Sequence, residues 1–366
     1  MRKQELLGLT GIRFYAALVI YVTHVVEKLP GVNTLWGSSV FLQAGSNAVS
    51  FFFVLSGFIL TYNYADSFRE SVSASDYKRF VWDRLARIYP VHVLTLLLVA
   101  PVAALSPHHP IDWRALPFHL TLLQCWWPSS SPQWFSYLNT PSWSISCEWF
   151  FYVLAPPAIF LSLRKGRKWV PLIVILVYAC GLGWMLVYSQ SDHTRAHFVN
   201  FFAPSRFAEF LAGVHLAGLF LVSQGWKHAS VSDAMQVSGI LLMVVGAICK
   251  QYAPWPLGGG VLIIPGAGLL ILGLAHGHGR FVAHLSRPWL NRLGIASFSL
   301  YMVHDPVLRA VRGTFLYLEW EVHSWLTVTV IGLVIFVLVQ TAALLMCHSF
   351  EIPMRKRLRT MVKVSQ

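Results

Sequence analysis

Gly11-Ile-Arg-Phe-Tyr-Ala-Ala-Leu-Val-Ile-Tyr-Val-Thr-His24 is apolar on both flanks, yet it holds an arginine and a histidine. Charged side chains at membrane depth are expensive and mark functional positions. Arg13 and His24 are eleven residues apart. On an α-helix that spacing makes three turns plus about 20°, so both side chains share one face, separated by roughly 16 Å along the axis. A fixed cation near one end and an acid–base group deeper inside suit a long anionic molecule with a reactive end.

The same pattern recurs through all 366 residues, of which 56% are hydrophobic and 12% charged. Mean hydropathy is +0.57. A soluble domain of this length carries far more charge. Eleven apolar segments lie near 8–28, 45–63, 80–104, 111–125, 146–163, 169–188, 198–222, 231–249, 257–276, 293–317 and 324–348. The fourth is shorter than the ~17 residues a span needs, and it holds Asp112, Arg114, Pro117 and His119. It reads as a re-entrant or interfacial segment. The expected fold is all-α and polytopic, with ten transmembrane helices and both termini cytoplasmic. One transmembrane domain covers 1–352, and 353–366 forms a basic cytoplasmic tail. The N-terminal run keeps Arg13 and His24 and has no small-x-small cleavage site, so it reads as a retained helix rather than a signal peptide.

Charge tests that topology. With both ends inside, 18 of the 28 Lys and Arg fall in cytoplasmic stretches, six lie within helices, and only Lys28, Arg114, Arg195 and Lys250 fall in outer loops. That asymmetry obeys the positive-inside rule. The net charge of +13 therefore reflects topology and contact with anionic membrane lipids, and no nucleic-acid partner is implied. Five cysteines show no metal-ligand spacing, and no metal is expected.

Further polar residues lie within the apolar segments. Arg84 and Arg87 share a helix face, level with Arg13 in this topology. Guanidinium suits phosphate, so the three read as a basic mouth; snorkelling to lipid phosphate is the alternative. The outer loop 105–143 is rich in tryptophan, including Trp143, which suits either an aromatic belt or a carbohydrate platform. Glu148 follows just below the outer surface, where it could meet His24 and orient its imidazole. Arg206 and Glu209 are three apart and could neutralise each other. His304 and Asp305 lie near mid-membrane, and Ser144 is a further polar candidate.

These pieces together resemble the acyltransferase-3 family of bacterial integral membrane O-acyltransferases. The resemblance runs through Arg13 and His24 with ten residues between them, and Phe-Val-Leu-Ser-Gly-Phe at 53–58. It continues through Arg-x-x-Arg-Ile-Tyr-Pro at 84–90, Ser-Trp-Ser-Ile-Ser-Cys-Glu at 142–148 and Arg-Phe-Ala-Glu-Phe-Leu-Ala-Gly at 206–213. It closes with Ser-Phe-Ser-Leu-Tyr-Met-Val-His at 297–304 and Glu-Ile-Pro at 351–353. Trp149 and Phe150 depart from the family's more polar pair after the glutamate. The resemblance implies ten transmembrane helices in the bacterial inner membrane. It also implies transfer of an acyl group, usually acetyl from acetyl-CoA, to a hydroxyl of an extracytoplasmic or lipid-linked glycan such as exopolysaccharide or lipopolysaccharide. Arg13, Arg84 and Arg87 would bind acyl-CoA, with His24 and Glu148 catalytic. Longer relatives append an esterase-like domain, absent here, so the membrane domain is expected to complete its own transfer. A transporter or flippase of a lipid-linked glycan or anionic metabolite is the rival class, since it also needs intramembrane charge.

The topology yields a direct test. A reporter fused after Trp127 should be periplasmic, and one fused after Arg167 cytoplasmic. Both on one side would mean that 111–125 spans.

Overall fold

The computed structural model describes residues 5–35, 38–104, 114–127, 138–164, parts of 169–180, 201–222, 229–252 and 260–364. Every regular element among them is helical, with no strand. Helices α1 (Leu7–Lys28), α2 (Ser38–Phe68) and α3 (Ala74–Ala104) come first. After the short α4 (Leu116–Leu120) come α5 (Ser142–Leu163), α6 (Ala203–Val222), α7 (Ala229–Tyr252) and α8 (Gly260–Ala275). Two short helices, α9 (Arg280–Leu285) and α10 (Pro288–Ile295), lead into α11 (Ser297–Tyr317), α12 (Trp325–Met346) and α13 (Ile352–Val364). An apolar chain in lipid must pair its backbone polar groups within each segment, and the helix does that.

Seven helices have the length and composition to cross a membrane: α1, the part of α2 from Ala44, α3, α5, α6, α7 and α12. The protein is multi-pass. Segment 257–276 contributes the shorter α8, and 293–317 contributes α10 and α11, the latter carrying Asp305, Arg309 and Arg312. Segment 169–188 falls mostly outside the described residues, as do 105–113 and 128–137 of the tryptophan-rich loop.

The short fourth segment folds back into the protein. After α4, Leu122 takes a left-handed φ of 58°. Gln124 Nε2 then donates to the Ser142 carbonyl (3.1 Å), and the Cys125 amide donates to Ser146 Oγ (3.1 Å). The Cys125 carbonyl accepts from the Ala203 amide (2.9 Å). Irregular backbone buried away from water needs protein partners of this kind.

Small residues bring backbones into contact. A methyl at Gly57 or Gly213 would overlap the carbonyl oxygen of Phe210 or Val54, so α2 and α6 cross at a glycine pair. Gly11 and Gly294 play the same part where α1 meets Leu285 and α10 meets Thr10. Without a hydrophobic drive between helices in lipid, close packing of this kind holds them together. One apolar core gathers α1 with α8, α11 and α12; a second gathers α3, α5 and α6. Helix α2 serves both, through Phe51 and Val54 on one side and Phe53 and Leu60 on the other.

The segment read as a basic tail from 353 is a docked helix as far as Val364. A π-helical turn at Cys347–Glu351 leads from α12 into α13. Arg359 forks onto both carboxylate oxygens of Asp83 at 2.8 Å, and Trp82 Nε1 donates to the Leu358 carbonyl at 2.9 Å.

Lys28, read as an outer-loop residue, is only 7% exposed. Its Nζ lies 2.7 Å from Asp305 Oδ1. Asp305 Oδ2 accepts from Arg309 Nε (2.7 Å) and the Thr140 amide (3.0 Å). Asn139 Nδ2 donates to the Met302 carbonyl at 3.1 Å. The turn before α5 is thus pinned onto α11. Asp305→Ala, which leaves the buried Lys28 without its carboxylate and beside the partly exposed Arg309, should destabilise the protein by ~3–5 kcal/mol. Thermal unfolding in detergent checks this, and adding Lys28→Met should restore part of the loss.

Candidate active site

Four guanidinium groups meet at a cavity of about 260 Å³. Arg13 comes from α1, Arg84 and Arg87 from α3, and Arg355 from α13; Glu148 and Tyr152 from α5 complete the polar wall. The arginines read from sequence as one basic mouth do converge, and Arg355 joins them. Each is half-buried, and none forms an ion pair with a carboxylate among the described residues. Arg84 lies over the rings of Tyr64 and Phe80, and its Nη2 donates to Tyr64 Oη at 3.1 Å. Tyr152 Oη donates to Glu148 Oε2 at 2.9 Å. Even with the buried Glu351 near Arg13 and Arg355, four guanidiniums leave net positive charge in a low-dielectric enclosure, a field that concentrates anions.

Further along, the cavity wall is Phe53, Phe298, Ser144 and Tyr301. Ser144 Oγ and Tyr301 Oη are 2.7 Å apart, with the Pro141 carbonyl 3.0 and 3.2 Å from them, so one hydroxyl donates to the other and the second donates to that carbonyl. These hydroxyls close that end of the cavity.

Beyond them lies a histidine pair. His24 Nδ1 is 2.6 Å from His304 Nε2, and the rings stack with centroids 4.9 Å apart. His304 Nδ1 lies 3.2 Å from the Leu300 carbonyl, which can only accept. A neutral His304 therefore keeps its proton on Nδ1 and accepts through Nε2. His24 then donates through Nδ1, and its Nε2 carries the bare lone pair. Glu27 Oε2 is 3.8 Å from that nitrogen, too far for a hydrogen bond.

The expected contact between Glu148 and His24 does not form. Helix α5 runs antiparallel to α11, with Thr140 against Asp305 and Ser144 against Tyr301. One turn further, Glu148 shares the cavity wall with Ser297 and the arginines. His24 takes His304 instead. Trp143 is buried against Phe53 and Phe201 with T-shaped geometry, as core rather than platform. Arg206 lies 3.2 Å from Glu209, donates to Ser50 Oγ at 3.1 Å and stacks over Phe53. It is a buried structural ion pair beneath the cavity wall. Ser56 lines the cavity, whereas Gly57 makes the helix crossing. Sequence reading missed Tyr301 and Arg355. Tyr301 could have been found as the residue one turn before Asp305 on the His304 helix.

The acyltransferase-3 profile, described as an acyltransferase domain, matches residues 6–344. The acyltransferase MdmB of Streptomyces mycarofaciens is 31% identical over 331 residues, covering 84% of this chain and 80% of that protein. The O-acetyltransferase OatA of Staphylococcus aureus is 27% identical over 84% of this chain. The peptidoglycan O-acetyltransferase YrhL of Bacillus subtilis, a name given to it provisionally, is 22% identical over 82%. The chain spans about half the length of those two proteins, 51% and 48%. No solved structure matches the chain.

The tautomer is measurable. ¹⁵N NMR of histidine-labelled protein at neutral pH should show His24 protonated on Nδ1 and bare on Nε2, with His304→Ala abolishing that preference. A His24 proton on Nε2 in the parent would contradict this tautomer assignment.

Proposed function

This chain belongs to the acyltransferase-3 family, and from that premise we propose that it is an inner-membrane O-acyltransferase. It moves an acyl group, most simply acetyl, from cytoplasmic acyl-CoA to a hydroxyl of an extracytoplasmic or lipid-linked glycan. Ten spans with both termini inside are part of the proposal, supported by the charge asymmetry along the sequence. The observation that carries it is the four-guanidinium cavity, on the same helix as a paired histidine roughly 16 Å away along the axis. The family membership favours chemistry over transport, and the peptidoglycan in the name of YrhL favours a cell-envelope glycan.

In this reading the donor's phosphates lie on Arg13, Arg84 and Arg87, and its pantetheine arm runs toward His24. The bare Nε2 of His24 takes the proton of the acceptor hydroxyl as its oxygen attacks the thioester carbonyl. His304 supports the imidazolium that forms by accepting from Nδ1. Collapse of the tetrahedral intermediate breaks the C–S bond, and the thiolate of CoA recovers the proton from Nε2. Glu148 belongs to the donor end, where it holds Tyr152 and offsets one of the four positive charges. The closed Ser144–Tyr301 pair must part for the thioester to pass.

Steady-state kinetics with acetyl-CoA and a matched glycan acceptor test the division of labour. Arg13→Ala should raise the apparent KM for the donor by ~10–100-fold, as expected for loss of a charged hydrogen bond. His24→Ala should lower kcat by ~10²–10⁴. A folded His24→Ala variant with parental kcat would sink the mechanism. Mass spectrometry of envelope glycans from a deletion strain should show the missing acyl mass and identify the acceptor.

A further inference from the structure

We propose that Arg355, carried by the C-terminal helix α13, binds the ribose 3′-phosphate of the donor and so selects coenzyme A over donors lacking that group. The inference rests on the acyl-CoA reading and deepens it.

Three observations support it. The first is how α13 is held. Arg359, one turn after Arg355, is committed to Asp83 through two 2.8 Å bonds, and the Leu358 carbonyl is held by Trp82. These contacts fix both the position and the rotation of the helix. Lys356 and Arg357 are exposed, whereas Arg355 is half-buried and lines the cavity. Its guanidinium is therefore held ready without an ion-pair partner among the described residues.

The second is charge. Arg13, Arg84, Arg87 and Arg355 face a single lining carboxylate, Glu148. The buried Glu351 also lies near Arg13 and Arg355, and the four guanidiniums still supply at least one cation for each of the three phosphates of coenzyme A. Guanidinium also matches phosphate geometry through its fork of donors.

The third is order along the ligand. In coenzyme A the thioester, the diphosphate and the 3′-phosphate follow one another from the pantetheine end to the adenosine end. In the protein, His304 marks the chemical end of α11. Glu351 is bonded to Ser299 at the first turn of that helix, at 2.7 Å. Arg355 lies one helical turn beyond Glu351, where Leu358 and Arg359 pair with Trp82 and Asp83 near the start of α3, so Arg355 and Arg84 stand together at the end of the cavity away from His304. A donor aimed at His24 therefore presents its outermost phosphate to Arg355 beside Arg84, with the diphosphate left to Arg13 and Arg87.

The experiment compares acetyl-CoA with acetyl-3′-dephospho-CoA as donors to the full-length protein in detergent. The parent should favour acetyl-CoA by ~10–100-fold in kcat/KM, the range of a charge-assisted hydrogen bond. Arg355→Gln should erase that preference mainly by raising KM for acetyl-CoA, with a smaller rise for the dephospho donor and with folding matched to the parent by Tm. Arg355→Lys should keep part of the preference. Arg359→Gln, which releases the latch without touching the cavity, should weaken discrimination in the same direction. An equal loss on both donors, or an unchanged preference in Arg355→Gln, overturns the assignment while leaving the transferase reading intact. A folded parent that turns over neither thioester overturns both.

Discussion

A carboxylate held away from water must be surrounded by cations and donors, and Asp305 is such a group. Its oxygens are taken by Lys28, Arg309 and the Thr140 amide. Three separate parts of the chain meet there: the end of α1, the middle of α11 and the turn that starts α5. Breaking any one contact leaves a buried charge uncompensated, which is why such networks fix geometry even where they add little net stability. The register of the site follows from it. With Thr140 against Asp305, the next turn of each helix brings Ser144 to Tyr301, and the turn after that brings Glu148 to the level of Ser297. With Lys28 against Asp305, His24 reaches His304 one turn earlier on α1.

Much of this was legible in the sequence where a local rule decided it. Arg13, His24, Arg84 and Arg87 stand out because charge in an apolar stretch is rare, and helical spacing alone puts Arg84 with Arg87. Segment 111–125 is too short to span, and the described part of it does fold back. Arg206 and Glu209 pair as their spacing suggests. The misplacements came from depth, which no local pattern encodes. Glu148 was expected near the outer surface because a loop precedes it. That loop ends in a turn drawn onto α11 by Asp305, and α5 carries Glu148 toward the arginines. Lys28 was given to a loop because it ends a helix, although its partner lies 277 positions away in sequence. Arg355 looked like one basic residue among several, since only the pairing of Arg359 with Asp83 singles it out.

The site is built on rigid elements. Every side chain in it comes from a helix, and the helices that carry Arg13 and Phe53 are set by glycine contacts at Gly11 and Gly57. A substitution there would move the backbone rather than a side chain. Positioning of this kind limits how far charged groups can relax toward one another, so the arginines remain available to a ligand instead of neutralising within the protein.

The hydroxyl pair of Ser144 and Tyr301 has a consequence for the bilayer itself. A cavity lined by four guanidiniums, if continuous with the opposite face, would be a pore selective for anions. Chloride and metabolite anions would leak through it down their gradients. The two hydroxyls, backed by Phe53 and Phe298, plug that path with neutral groups that satisfy each other and the Pro141 carbonyl. Opening the plug costs about the net worth of one or two neutral hydrogen bonds, ~1–2 kcal/mol. An amide-bearing arm threaded through the gap can replace those bonds, whereas a hydrated ion must shed water to follow. On the proposed acyl-CoA reading, electrical tightness of the membrane and passage of a flexible chain are reconciled in one contact.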